Sequence, residues 1–303
     1  MPERRWLPLA AVATTLVLWA SAFVAVRHLG HDFSPGALSL GRLLVGSVAL
    51  ALVVLPQGLP RPSRRQWSAI VAIGLLWYAV YNVALNAGEL WVDAGTAAML
   101  IQVAPVLIAV MAALFLDEPF TRTLGLGLVL AFGGVALIGL STGSREGTEW
   151  YGVVLVLVSA AAYAVSVVLQ KPLMGSLPAV QVTWLACTVG AVACLPFAPQ
   201  LLDEVRAAPA SSTWWVVYLG LFPTALAFTT YAYALRHMSA SSLGVTTYLV
   251  PPITIVMGLL LLGEVPPSLA YVGGVLALVG VAVARRRPRE AAAVPSRRSA
   301  VGR

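Results

Sequence analysis

The chain has 303 residues, of which 59% are hydrophobic and only 10% charged, with a mean hydropathy of +0.88. An ordinary soluble domain carries about 25% charged residues, so a soluble fold of this size is excluded: its surface could not be solvated. The net charge of +7 is spread between apolar segments and forms no basic groove with interleaved aromatics, which argues against a nucleic-acid partner and for a lipid bilayer.

A spanning helix needs about 20 mainly apolar residues, because the bilayer core is about 30 Å thick and each helical residue rises about 1.5 Å. Ten stretches meet that length, near 6-27, 35-55, 67-87, 94-116, 123-141, 151-170, 178-198, 213-234, 241-262 and 268-284. Segments such as Val153 to Val168 are apolar all round and lack the alternation of barrel strands, so the spans read as helices.

The first stretch follows Arg4 and Arg5 and contains Ala20-Ser21-Ala22, a pattern like a cleavable leader; hydrophobicity continues through Phe23 to Val26, so it reads as a retained helix. It carries Trp19 and Ser21 as pocket candidates. The second holds Arg42 about two turns inside, where a charge must snorkel, pair or face water. Two readings stand open for it: attraction of an anionic substrate group, or a structural contact near the outer surface with Glu89 or Asp93 as partner. The third stretch adds Tyr78, Asn82 and Asn86. In the fourth, Gln102 precedes Pro105, which removes a backbone donor and interrupts the helix ladder, making a hinge or a site; the alternative is a kink satisfied by neighbouring helices. Glu118 follows, placed to cap the next helix or to make a gate contact. Gly127, Ala131 and Gly134 form a small-residue stripe suited to close helix packing and not to lining a path.

The later stretches carry Tyr163 and Gln170, then Trp184, then Tyr231 and Tyr233, and then Thr247-Tyr248 ahead of the hinge candidates Pro251 and Pro252. Cys187 and Cys194 share one apolar stretch and read as small packing residues, with no disulfide framework or metal site. Glu264 takes the cap-or-gate place of Glu118, and Gly273, Ala277 and Gly280 repeat the small-residue stripe. Trp67, Trp91, Trp150, Trp214 and Trp215 fall at span ends, where an interfacial belt is expected. Residues 286-303 read as a disordered basic cytoplasmic tail.

With the N-terminus inside, inner segments hold fifteen of the nineteen basic residues and outer ones only Arg27, Arg145 and Arg206, so both termini are expected in the cytoplasm. An internal repeat appears at a spacing of 146: Pro105 and Pro251, Val110-Met111 and Val256-Met257, Glu118 and Glu264, Gly127 and Gly273, Gly134 and Gly280. Earlier in each half the match is at 144, with Trp19 and Arg27 opposite Tyr163 and Lys171. Five spans per half is odd, so the second copy enters the membrane upside down. The expected fold is therefore an all-α membrane protein of ten transmembrane helices in two inverted five-helix repeats, 1-142 and 150-285.

That architecture points to a secondary transporter whose small-molecule substrate binds near the midplane. The alternative is a non-transporting membrane sensor or assembly subunit. No cofactor is implied, and His28, His31 and His237 are scattered over loops with no metal or hydrolase motif, so no catalytic residue is assigned and an enzyme is not expected.

Ala104-Pro105 followed by Leu116-Asp117-Glu118-Pro119, the second copy Val250-Pro251 followed by Leu262-Gly263-Glu264, the Gly-rich spans after each, and Arg42 together resemble the drug/metabolite transporter superfamily, EamA type. The resemblance covers about residues 6 to 285. It implies an inner-membrane carrier with a central cavity built from the first four helices of each half, the fifth and tenth being peripheral. It also implies export of amino acids, their derivatives or other metabolites, including toxic compounds. Asp117 stands where the second copy has Gly263, which weakens the transfer of that loop contact.

Overall fold

A computed structural model describes residues 6–58, 61–115, 122–142 and 149–284. Glu118 and the tail fall outside the described residues. What is described is helical, with no strand: α1 Trp6–Leu29, α2 Pro35–Val54, α3 Arg64–Gly88, α4 Ala94–Phe115, α5 Arg122–Thr142, α6 Glu149–Leu173, α7 Ala179–Ala193, α8 Ala198–Ala207 and α9 Ala210–His237. The helix α10 comprises Ala240–Thr246 and Val250–Leu262, joined by a tight turn, and α11 is Ser268–Ala284. Six of the described helices are long and apolar enough to cross a membrane, or seven if α7 and the segment bent 52° from it count as one span. Three shorter apolar helices lie at Gly125–Gly134, Thr247–Leu262 and Ser268–Gly280.

Local irregularities recur as faithfully as the helices. The wide π-type turn Gly74–Val80 in α3 has its counterpart at Gly220–Leu226 in α9, and the 3-10 turn Ile101–Val103 has its counterpart at Thr247–Leu249, in both cases 146 residues on. The ends of α1 and α6, Leu29 and Leu173, are 144 apart. The two extra residues enter between α7 and α9, where the surface helix α8 is built.

Packing repeats the pattern. α1 lies against α9 and α10, as α6 lies against α3 and α4, while α2 meets α7 and α5 meets α11 along their lengths. Close approach depends on glycine at four matched places. A Cβ on Gly220 would sit 2.8 Å from the carbonyl oxygen of Arg42, one on Gly74 2.7 Å from that of Ala186, and Gly46 and Gly190 face the carbonyls of Gly220 and Gly74 at 3.1 and 3.0 Å. The α2–α9 and α7–α3 contacts therefore bring backbone to backbone, as small residues allow in lipid, where packing replaces hydrophobic drive. Gly127, Gly134, Gly273 and Gly280 are buried on α5 and α11.

The interruptions have chemical causes. Pro251 lacks the N–H that would bond the Thr247 carbonyl one turn back, so that carbonyl takes a 3-10 bond from Val250 and a second one, at 2.6 Å, from the side-chain amide of Gln102. In α3 the wide turn leaves the Trp77 and Tyr78 carbonyls to Asn82 Nδ2, at 3.3 and 2.8 Å.

Candidate functional site

Between the two copies lies a cavity lined by Trp19, Phe23 and Val26 of α1, Arg42 of α2, Trp77, Tyr81 and Leu85 of α3, Ile101 and Gln102 of α4, Tyr163 of α6, Phe228 of α9, and Thr247 and Val250 of α10. Its volume is about 40 Å³ in this conformation, room for a few waters. A larger cavity of about 330 Å³ lies among Met99, Pro251, Pro252, Tyr271 and Leu278. Its lining is apolar apart from Gln102 and Tyr271 and includes the exposed Val256, Tyr271 and Val275, so it is an open apolar crevice with few polar groups to orient a ligand.

The wall of the central cavity is aromatic. Trp19 stands with its ring centroid 4.9 Å from Tyr231, 5.6 Å from Phe228, 6.0 Å from Tyr163 and 6.3 Å from Trp77, and Trp77 lies 5.0 Å from both Tyr163 and Phe228. Tyr163 and Tyr231 join their hydroxyls at 2.9 Å. Both copies thus supply the box. The Trp19 indole nitrogen is buried without a hydrogen-bond partner among the described residues.

Arg42 is the charged member of the lining, 3% exposed. Its Nε donates to Thr224 Oγ1 at 3.1 Å, and Thr224 belongs to the wide turn of α9. No carboxylate lies in ion-pair range of it among the described residues. The expected partners are engaged differently: Asp93 caps α4, accepting from Thr96 N at 2.8 Å and Thr96 Oγ1 at 2.6 Å, and Glu89 is buried without a hydrogen bond to its carboxyl. Asp93 is an N-cap because it starts a helix, where four N–H groups lack intrahelical partners.

The ends of the bundle are held by cations. Thr15 bonds Thr230 and Ser21 bonds Tyr218, so α1 and α9 run antiparallel and the end of α1 lies opposite the end of α9. At the end of α1, Arg27 pairs through Nε with Glu264 at 2.7 Å and through Nη1 with the Glu89 carbonyl at 2.6 Å. At the far end, Lys171 of α6 donates to the carbonyls of Leu235 and Met238, each at 2.8 Å.

Of the sequence candidates, Trp19, Arg42, Gln102, Tyr163 and Thr247 meet at the cavity. Tyr231 packs behind it. Tyr78 and Asn82 are buried but belong to the neighbouring face of α3; Ser21 is taken by Tyr218, and Trp184 packs partly buried against the core. Tyr248 stands outside the lining, and Pro105 is buried beside Gly244. Glu264 makes the Arg27 contact and not a cap on α11, which begins at Ser268. The aromatic lining residues not singled out as site candidates were Trp77, Tyr81, Phe23 and Phe228. The first two stand with Leu85 at i, i+4 and i+8, a stripe readable by helical period.

These features define a multi-pass helical membrane protein with a buried, aromatic and cationic site between two like halves. The chain matches the EamA-like transporter family over residues 6–140 and 150–286, and it belongs to that family. It is 39% identical over 293 residues to a Streptantibioticus cattleyicolor protein named "Probable terminal-alkyne amino-acid exporter", covering 95% of this chain and 97% of that one. It is 34% identical over 268 residues to "Uncharacterized transporter YdfC" of Bacillus subtilis, covering 87% and 86%. A crystal structure at 20% identity superposes with a TM-score of 0.64 over 92% of this chain and 96% of its own, a likeness of fold.

Proposed function

We propose that the protein is a secondary transporter that exports small carboxylate-bearing metabolites, amino acids or their derivatives, across the inner membrane by alternating access. The observation that carries this reading is Arg42: a buried guanidinium facing a cavity, with no carboxylate in ion-pair range among the described residues, is costly in lipid unless something anionic meets it. An anionic substrate group supplies the missing charge, and its planar fork suits bidentate hold of a carboxylate. The aromatic box of Trp19, Trp77, Tyr163 and Phe228 then takes the apolar part, while Gln102, Thr247 and the Trp19 indole offer neutral polar contacts.

In this reading the chain crosses the membrane ten times as two oppositely oriented five-helix halves with both termini in the cytoplasm. The matched irregularities and the matched cation clamps at opposite ends support it. Pro105 and Pro251-Pro252 serve as hinges, because each interrupts a helix at bundle depth beside the site. The relative named as an amino-acid exporter supports the substrate class.

The test is flux. Purified protein in liposomes should release preloaded apolar amino acids but not their amides, and protein-free liposomes should release neither. Release of neither compound by the protein, across a panel chosen by thermal shift, contradicts the proposal.

A further inference from the structure

The Arg27 end of the bundle holds an acid that the transport reading leaves unused. Glu89 follows α3 directly, is 1% exposed, and neither of its carboxyl oxygens has a hydrogen-bond partner among the described residues. Arg27 reaches its backbone carbonyl while giving its Nε to Glu264. The charged and titratable groups facing the Glu89 carboxyl are Arg27 of α1, Glu264 after α10, Arg42 of α2, Asp93 before α4 and Tyr81 of its own helix. An ionised carboxylate without donors, buried near two other acids, is costly, and the cheap remedy is a proton. Burial pushes this carboxyl well above the ordinary carboxylate range, with Arg27 pulling the other way.

The opposite end carries a like clamp with Leu235 at the position of Glu89. Lys171 occupies the place of Arg27, and the carbonyl it takes belongs to Leu235, 146 residues after Glu89. Both ends therefore hold a cation on carbonyls at the end of a helix, and the end at Glu89 adds an ionisable side chain at the matched position.

We propose that Glu89 is a proton-binding site that latches the Arg27 end: this end closes with Glu89 protonated and Arg27 paired to Glu264, and it opens when the carboxylate forms and competes for Arg27. The inference rests on the alternating-access reading, since a latch acts only on an end that opens. The closed form binds the proton more tightly than the open form. Closure is therefore strongest below the ordinary glutamate pKa, and weakens by up to about tenfold per pH unit above it until the closed-state pKa is passed. In the orientation set by the basic loops this end is outer, so external protons return the emptied carrier to its cytoplasm-facing form.

The test needs no substrate. Spin labels on H31C and V265C, at exposed positions beside the latch, report its opening in lipid nanodiscs; the two native cysteines are buried, and protein without the added cysteines serves as the labelling control. Between about pH 5 and about pH 9 the separated population should rise at least about tenfold. In E89Q it should stay low and change less than about twofold. E89L copies the residue used at the other end and serves if E89Q misfolds; it should behave alike. A pH response retained in either folded variant, a wild type whose labels ignore pH, or movement that follows sodium instead of pH overturns the proposal. Parallel flux measurements separate the two readings: pH-driven movement without solute flux sinks transport and leaves the latch, whereas flux with labels indifferent to pH does the reverse.

Discussion

Replacing Arg42 with methionine isolates the electrostatic part of the site. The side chain is 3% exposed and donates to one neutral partner, Thr224; no carboxylate lies in ion-pair range among the described residues, and Glu89 acts on it only from beyond that range. A hydrogen bond to a charged group contributes about 1.5–3 kcal/mol net, so losing the fork on a substrate carboxylate should cost about 2–3 kcal/mol, or about 30- to 150-fold in Kd. Removing a buried charge that has no carboxylate in ion-pair range among the described residues relieves desolvation, so R42M should melt no lower than wild type. Isothermal titration of the purified protein with an apolar amino acid and its amide reads both effects. Wild type should prefer the acid, and R42M should bind acid and amide alike. An R42M protein that binds the acid within about twofold of wild type would refute the reasoning, because a fork that meets the substrate cannot be worth so little.

The remaining expectations test how the site is framed. G220A places a methyl 2.8 Å from the Arg42 carbonyl and should cost about 1–3 kcal/mol, whereas G258A has open space and should be neutral or up to about 1 kcal/mol stabilising; thermal melts in detergent compare them. N82A strips the donor from the Trp77 and Tyr78 carbonyls and should lower stability by about 1–3 kcal/mol along with flux. Q102A, which loses the donor to the Thr247 carbonyl at the cavity, should reduce flux in liposomes with less effect on the melt. W19A removes a ring that touches four other aromatics, each pair worth about 0.5–1.5 kcal/mol, and should weaken small substrates while admitting bulkier ones in a competition assay.

Much of this was legible because apolar length and duplicated order survive in a bare sequence. The proline pair predicted interruptions, and the tight turns stand directly ahead of Pro105 and Pro251. The exposed Trp67, Trp91, Trp150, Trp214 and Trp215 separate from the central Trp19 as span-end position suggested. The face of α3 was harder. Tyr78 and Asn82 stood out as polar, but the wide turn Gly74–Val80 holds more residues than an α turn, and the stripe that meets the cavity is Trp77, Tyr81 and Leu85. Nothing in propensity announces such a turn. Glu89 stood in the sequence only as a candidate partner of Arg42; that Arg27 bonds its backbone carbonyl and that its carboxyl is enclosed come from packing between distant helices.

The most direct measurement is the sidedness of two neighbouring points of the repeat, one per copy. His31 and Ser176 are exposed residues just beyond the ends of α1 and α6, the first helix of each half. Single cysteines at these positions, probed in intact cells with an impermeant thiol reagent before and after lysis, should label from opposite faces: H31C from outside, S176C only once the cytoplasm is opened. Labelling of both from one face would mean that the halves share an orientation, and no exchange of inward and outward shapes between them could then move a solute.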